Sequence, residues 1–207
     1  MEIPVYKTQG IILKKADLLD VDRLLTVYTE KFGKILVRAK GIGKKESKLK
    51  SLIEPFNLYE FMLARSRTVD VLAGSWPIKE FIYLRQNLEN LALAIYFAEL
   101  VDKLVVAPER DEKIWTLLTR AFHYLDQQAK IKAKPHASVR GAESRTEPRS
   151  GSGAREAYEN RLLEYLGHPT FKIRGKISER EKQNYLYSLA GEEIKSVRFL
   201  RLFSLIN

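Results

Sequence analysis

The chain contains no cysteine, and its three histidines, His123, His136 and His168, are far apart with no carboxylate at metal-ligand spacing. The first absence excludes disulfides, thiol catalysis and every thiolate metal site. The scattered imidazoles offer no donor set for structural zinc. No stretch approaches eighteen consecutive apolar residues, and the start, "MEIPVYKTQG", has no signal-peptide core. The expectation is a soluble, cytoplasmic protein with no membrane partner. Catalytic motifs are also missing. "KGIGKKES" has glycines and lysines but fails the G-x-x-x-x-G-K-[ST] spacing of a phosphate loop. No Ser/His/Asp constellation is visible; His123 sits between Phe122 and Tyr124 on a helical pattern, and His168 precedes Pro169 at a helix end. Asp17, Asp20 and Asp22 cluster, but their spacing matches no calcium loop. The residues predict no enzyme, no metal and no cofactor.

What the chain does have is positive charge in particular places. Its 207 residues are 45% hydrophobic, as in a folded protein of one domain or two small ones, and the net charge is +10. From Lys31 to Lys50 eight basic residues face one acid, Glu46, and from Lys130 to Arg155 seven face two. Together these segments carry +12, so the rest of the chain sums to −2. Charge confined to two stretches favours an electrostatic footprint over a uniformly basic surface. The competing readings are two solubilising linkers, or a face for an anionic membrane or protein.

The first eighty residues read as β. A strand is expected around Gly10–Lys14, then a hairpin in "DRLLTVYTEKFGKILVRAKG" with Leu25, Val27 and Thr29 on one side and Ile35, Val37 and Ala39 on one side of the return strand. Gly33 supplies the positive φ of the turn. "IEPFNLYEFMLA" alternates at Phe56 and Leu58, "TVDVLAGSWP" alternates at Val69, Val71 and Ala73, and Arg65–Ser66–Arg67 is the turn between them. Five short, mostly antiparallel strands suit a small barrel. The periodicity then becomes helical. Leu84, Leu88, Leu91 and Ile95 form one stripe, with Leu93, Phe97, Leu100 and Leu104 beside it; Ile114, Leu118, Ala121 and Leu125 form another after acids that favour a helix start. The segment 130–155 has little to bury and reads as a mobile basic loop. Beyond it lie a stripe at Tyr158, Leu162, Tyr165 and Leu166 ending at Gly167, and a capping box from Ser178 to Glu181. The expected architecture is α+β: a barrel over residues 1–79 and a helical domain over 80–207.

The stretch "AKGIGKKESKLKS" is the candidate site. Lys40, Lys44, Lys45, Lys48 and Lys50 can meet phosphates, with Arg38 at the strand end, while Gly41 and Gly43 let the backbone follow a polyanion. Such contacts give affinity without base specificity. Tyr28, Phe56, Tyr59 and Phe61 are available either for base stacking or for filling the barrel.

The same residues carry a resemblance. "T-x-G-I-x-L" at Thr8, Gly10, Ile11 and Leu13, "D-R-L-L-T-V-Y-T" from Asp22, "F-G-K" at 32–34, "A-K-G" at 39–41, the basic stretch and "P-F" at 55–56 resemble the N-terminal region of the RecO DNA repair and recombination mediator family. The likeness extends to about residue 128, then loosely to "REAYENRLLEYLGHPTF". It implies an OB-fold followed by a helical domain, binding of single- and double-stranded DNA, strand annealing, and loading of recombinase onto coated strands in the nucleoid. The implied partners are RecR and the single-stranded-DNA-binding protein. Carried over, Arg38, Lys40, Lys44, Lys45 and Lys48 face DNA and Gly41 shapes the backbone. Many family members continue into a four-cysteine zinc module; this chain has no cysteine there, so zinc is not carried over. The alternative is an OB-type RNA-binding protein.

Overall fold

The computed structural model describes residues 4–18, 21–42, 53–133, 151–171 and 177–206. They form two compact units, one of Met1–Glu80 with Ala98–Thr119, the other of Phe81–Phe97 with Arg120–Asn207. The expected boundary after residue 79 is therefore crossed: the helical stretch 98–119 clusters with the strands.

In the first unit, β1 (Val5–Asp17), β2 (Arg23–Thr29), β3 (Gly33–Ala39), β4 (Leu58–Ala64) and β5 (Asp70–Lys79) close into a barrel in the order β1-β2-β3-β5-β4. β1 is long enough to serve both sides: Val5–Ile11 pair with β4 and Gly10–Asp17 with β2. All pairings are antiparallel except β3 with β5, which close the barrel in parallel at Val37–Asp70 and Arg38–Val71. Alternation places Leu25, Val27, Val37, Ala39, Tyr59, Phe61, Leu63 and Leu72 in one apolar cluster.

The phase of the last two strands differs from the sequence expectation. β4 starts at Leu58 and turns Tyr59, Phe61 and Leu63 inward, not Phe56 and Leu58. In β5 the register slips between Leu63–Leu72 and Met62–Gly74, so Leu72 and Ser75 are buried while Ala73 is exposed. An extra residue in a strand reverses its alternation locally. The β2–β3 turn is as expected. Gly33 has φ +65°, and a Cβ there would meet the Glu109 carbonyl oxygen at 2.0 Å, so both the turn and the packing of the 109–110 backbone require glycine. The Tyr28 hydroxyl donates to the Asp111 carbonyl at 3.2 Å beside it.

Helix α1 (Ile82–Gln86) ends at Asn87, whose extended backbone separates it from α2 (Leu88–Leu104). That break interrupts the first expected stripe, and Leu88 is exposed; the buried stripe of α2 is Leu93, Phe97 and Leu100 with Ala94 and Val101. Asp111 caps α3 (Glu112–Ala133) through the amides of Lys113 and Ile114. Ile114, Leu118 and Leu125 are buried along it as the periodicity required.

In the second unit, α4 (Gly151–Tyr165), α5 (Glu179–Ala190) and α6 (Val197–Leu202) follow. Ser178 and Glu181 form the capping box on α5, and Gly167, with φ +75°, stands just past the end of α4. Helices α3 and α4 enter the expected 130–155 loop from both sides, so 130–133 and 151–155 are helical; the intervening residues 134–150 lie outside the described ones.

Candidate nucleic-acid interface

The cationic stretch leaves the barrel at the end of β3. Arg38 donates from Nε and Nη2 to Asp22 Oδ2 at 2.8 and 2.7 Å. The Gly41 amide donates to Asp22 Oδ1 at 2.8 Å, with Gly41 held at φ +66°. One buried carboxylate thus ties the strand end to the first turn beyond it. Its pKa is held below the ordinary aspartate range, first by the Gly41 N–H and then by the Arg38 guanidinium. Ile42 then enters the barrel's apolar cluster, and the chain returns to that cluster at Ile53.

The returning end is also fastened. Lys15 Nζ donates to the Ile53 carbonyl at 3.0 Å and lies 3.6 Å from Glu54. The Tyr59 hydroxyl accepts from the Glu54 amide at 2.8 Å, and the Phe56 amide donates to the Ile12 carbonyl at 2.9 Å. Ten residues, 43–52, span two buried isoleucines on one barrel.

The site residues expected from sequence separate into groups. Lys40 is exposed at the root. Arg38 and Gly41 are brought together by Asp22, so Arg38 reaches any ligand with its charge already partnered. Lys44, Lys45, Lys48 and Lys50 lie outside the described residues, as does Gly43. Elsewhere in the first basic run, Lys34 is half-buried with its ammonium on the Asp102 carbonyl, and burial pulls its pKa down. In the second run, Arg155 is buried between Glu159 at 3.0 Å and Glu179 at 2.6 Å. That guanidinium belongs to the core of its unit and is withdrawn from the basic footprint.

Base stacking by the four expected aromatics is ruled out in this fold. Tyr28, Phe56, Tyr59 and Phe61 are all buried; Tyr59 and Phe61 fill the barrel, while the Tyr28 hydroxyl packs on the Asp111 carbonyl. The Asp cluster also resolves: Asp17 pairs with Arg23 at 2.8 Å, Asp22 with Arg38, and Asp20 lies outside the described residues. Among the described residues no three His, Asp or Glu side chains converge as metal ligands. Sequence reasoning missed the role of Asp22, weighed there only within an aspartate cluster whose spacing matches no calcium loop; its partner Arg38, sixteen residues on, is found only through the β2–β3 register.

A closed five-stranded barrel in this order, followed by helices, is an OB-fold-like domain in an α+β chain. Residues 1–81 match the family model described as "Recombination protein O N terminal". Curated proteins named "DNA repair protein RecO" are similar to part of the chain. The one from Desulforamulus reducens is 34% identical over 121 residues, 58% of this chain and 47% of the relative. That from Pelotomaculum thermopropionicum is 33% identical over 55% of this chain and 44% of its own length. The Roseiflexus protein is 35% identical over 61% of this chain and 44% of its own length. The chain therefore aligns with a little under half the length of these relatives.

Proposed function

We propose that this protein is a mediator of DNA repair and homologous recombination that binds single- and double-stranded DNA and anneals complementary strands. With RecR it helps load recombinase onto strands coated by the single-stranded-DNA-binding protein. It acts as a binding protein, with no chemical turnover and no cofactor, in the cytoplasm at the nucleoid. Among the described residues no helix is long and apolar enough to cross a membrane. The observation that carries the reading is the cationic span between Ile42 and Ile53 on an OB-type barrel. Lys40, Lys44, Lys45, Lys48 and Lys50 supply the phosphate contacts, while Asp22, Arg38 and Gly41 shape the root. The relatives' printed name, with its reference to DNA repair, supports DNA as the polyanion.

The test pairs fluorescence anisotropy on labelled single- and double-stranded oligonucleotides with annealing of complementary strands, each with and without the coating protein. Salt-sensitive binding and accelerated annealing are expected. Equal affinity for matched RNA and DNA without annealing would replace this reading with RNA binding.

A further inference from the structure

The four aromatics that the sequence offered for stacking are buried, but β5 carries a fifth that is not. Trp76 is 47% exposed, while every other aromatic among the described residues of the five strands is buried or half-buried. The register explains its position. Thr8, Phe61 and Ser75 stand opposite one another across β1, β4 and β5, and all three are buried, so that row faces inward. The rows on either side of it therefore face out: Lys7, Met62 and Gly74 in one, Gln9, Glu60 and Trp76 in the other.

The indole is braced on this outer face. It lies across Gly74, where an added Cβ would come within 2.8 Å of the ring, so the missing side chain is what lets the indole settle against its own strand. Lys7 reaches it diagonally across β4, with Nζ 5.5 Å from the ring centroid and 3.7 Å from Glu60 Oε2. Both members of that ion pair are about half exposed, and a pair so placed holds its partners weakly. Lys79, three residues beyond Trp76 on the same strand, is exposed as well.

We infer that Trp76 is a stacking platform for an unpaired nucleobase, with Lys7 turning from Glu60 to the adjoining phosphate. This rests on the nucleic-acid reading and deepens it, because it names a place where a single strand is told from a duplex. An indole offers a flat, polarisable face that accepts any base, but a base must be free of its pairing partner to reach it. A flat aromatic with a mobile ammonium beside it matches both parts of a nucleotide, the base and the phosphate. A purely apolar partner would have no use for the lysine. Glu60 remains hydrated when Lys7 leaves it.

The chain has two tryptophans, Trp76 and Trp115, so W115F leaves Trp76 as its only indole reporter. Titrating W115F with oligothymidylate is expected to quench Trp76 emission along the same isotherm as the anisotropy of a labelled strand. In the wild-type background, W76A weakens single-strand binding by roughly 5- to 100-fold, and W76F restores part of that loss. Stacking releases no counterions, so the slope of log Kd against log salt is unchanged in W76A. Duplex affinity stays within about twofold, because paired bases are not offered to the ring. K7Q instead lowers the single-strand slope by about 0.7, the value of one phosphate contact. Circular dichroism of W76A, W76F and K7Q matches wild type, since the replaced side chains are exposed. Single-strand binding with Trp76 emission unchanged, or equal losses of single- and double-strand affinity in W76A, overturns the inference and leaves the DNA-binding reading standing. Failure of the wild-type chain to bind either form of DNA overturns both.

Discussion

Arg155 is the position where counting charge and seeing structure disagree most, and replacing it with methionine tests which governs. Its side chain is 5% exposed and that of Glu159 is 0% exposed, with Nη1 3.0 Å from the carboxylate. The Tyr96 hydroxyl donates to the same Glu159 oxygen at 2.7 Å, and Lys182 also reaches Glu179 at 2.9 Å. In Arg155→Met, Glu179 keeps Lys182, but Glu159 keeps only a neutral donor. Leaving one charge of a buried pair alone costs roughly 3–5 kcal/mol. At about 2–4 °C per kcal/mol for a chain of this size, Tm falls by roughly 6–20 °C. The pH dependence has a definite sign. Burial already pushes the Glu159 carboxyl up against the opposing pull of Arg155, and removing the cation pushes it further. An acid whose folded pKa exceeds its unfolded value, about 4.3, loses stability as pH rises through that window. Arg155→Met is therefore less destabilised at pH 5 than at pH 8, and adding Glu159→Gln recovers stability at pH 8. The assay is denaturant unfolding at both pH values, with the salt slope of DNA binding measured beside it. Wild-type stability at pH 8, or an equal loss at both pH values, refutes the buried-pair argument. A lowered slope in correctly folded protein refutes the exclusion of Arg155 from the DNA footprint.

Changing Lys44, Lys45 and Lys48 together to alanine is expected to lower the single-strand salt slope by roughly 2 units with unfolding unchanged; an unaltered slope in anisotropy titrations sinks the assignment of the span. Gly33→Ala meets both a positive φ and the Glu109 carbonyl, so it destabilises by at least about 2 kcal/mol, read by urea unfolding. Replacing residues 134–150 by a neutral Gly/Ser stretch of equal length keeps stability within about 1 kcal/mol while slowing annealing; lost cooperativity in its melt shows that the stretch is structural.

Much of the barrel was legible because a half-buried strand writes its inner face at every second residue. Leu25, Val27, Val37 and Ala39 could be read directly, as could Gly33, since a tight turn between two such runs leaves glycine little competition. β4 and β5 were read in the wrong phase because Leu58, Met62 and Ala73 are as apolar as the residues that face inward. Only the pairing register, with its slip beside Ala73, distinguishes them. Helix periodicity identified Leu118 and Leu125 but ran through Asn87, where no proline or glycine signals the break. At the site, charge density pointed to the 40–50 stretch, yet one-dimensional charge treats Lys34, Arg38, Lys40 and Arg155 alike. Burial and partners tell them apart.

The Asp22 clamp bears on why the segment proposed to face DNA would begin by neutralising one of its own cations. An unpaired Arg38 would add one phosphate contact, but the 43–52 span would then hang from a root with no fixed exit. Asp22 instead joins Arg38, at the end of β3, to the Gly41 amide three residues later. Ile42 and Ile53 then hold both ends of the span in the barrel core. The contacts of a long cationic connection are worth more when its ends are placed before binding, because ordering it on the ligand subtracts from affinity. The carboxylate is ionised at neutral pH, since its partners hold its pKa below the ordinary range. Its contribution is present above that range and is lost only as pH falls through the depressed value. Between pH 6 and 8 the root is therefore constant, and any change in DNA affinity across that interval must arise in groups other than Asp22.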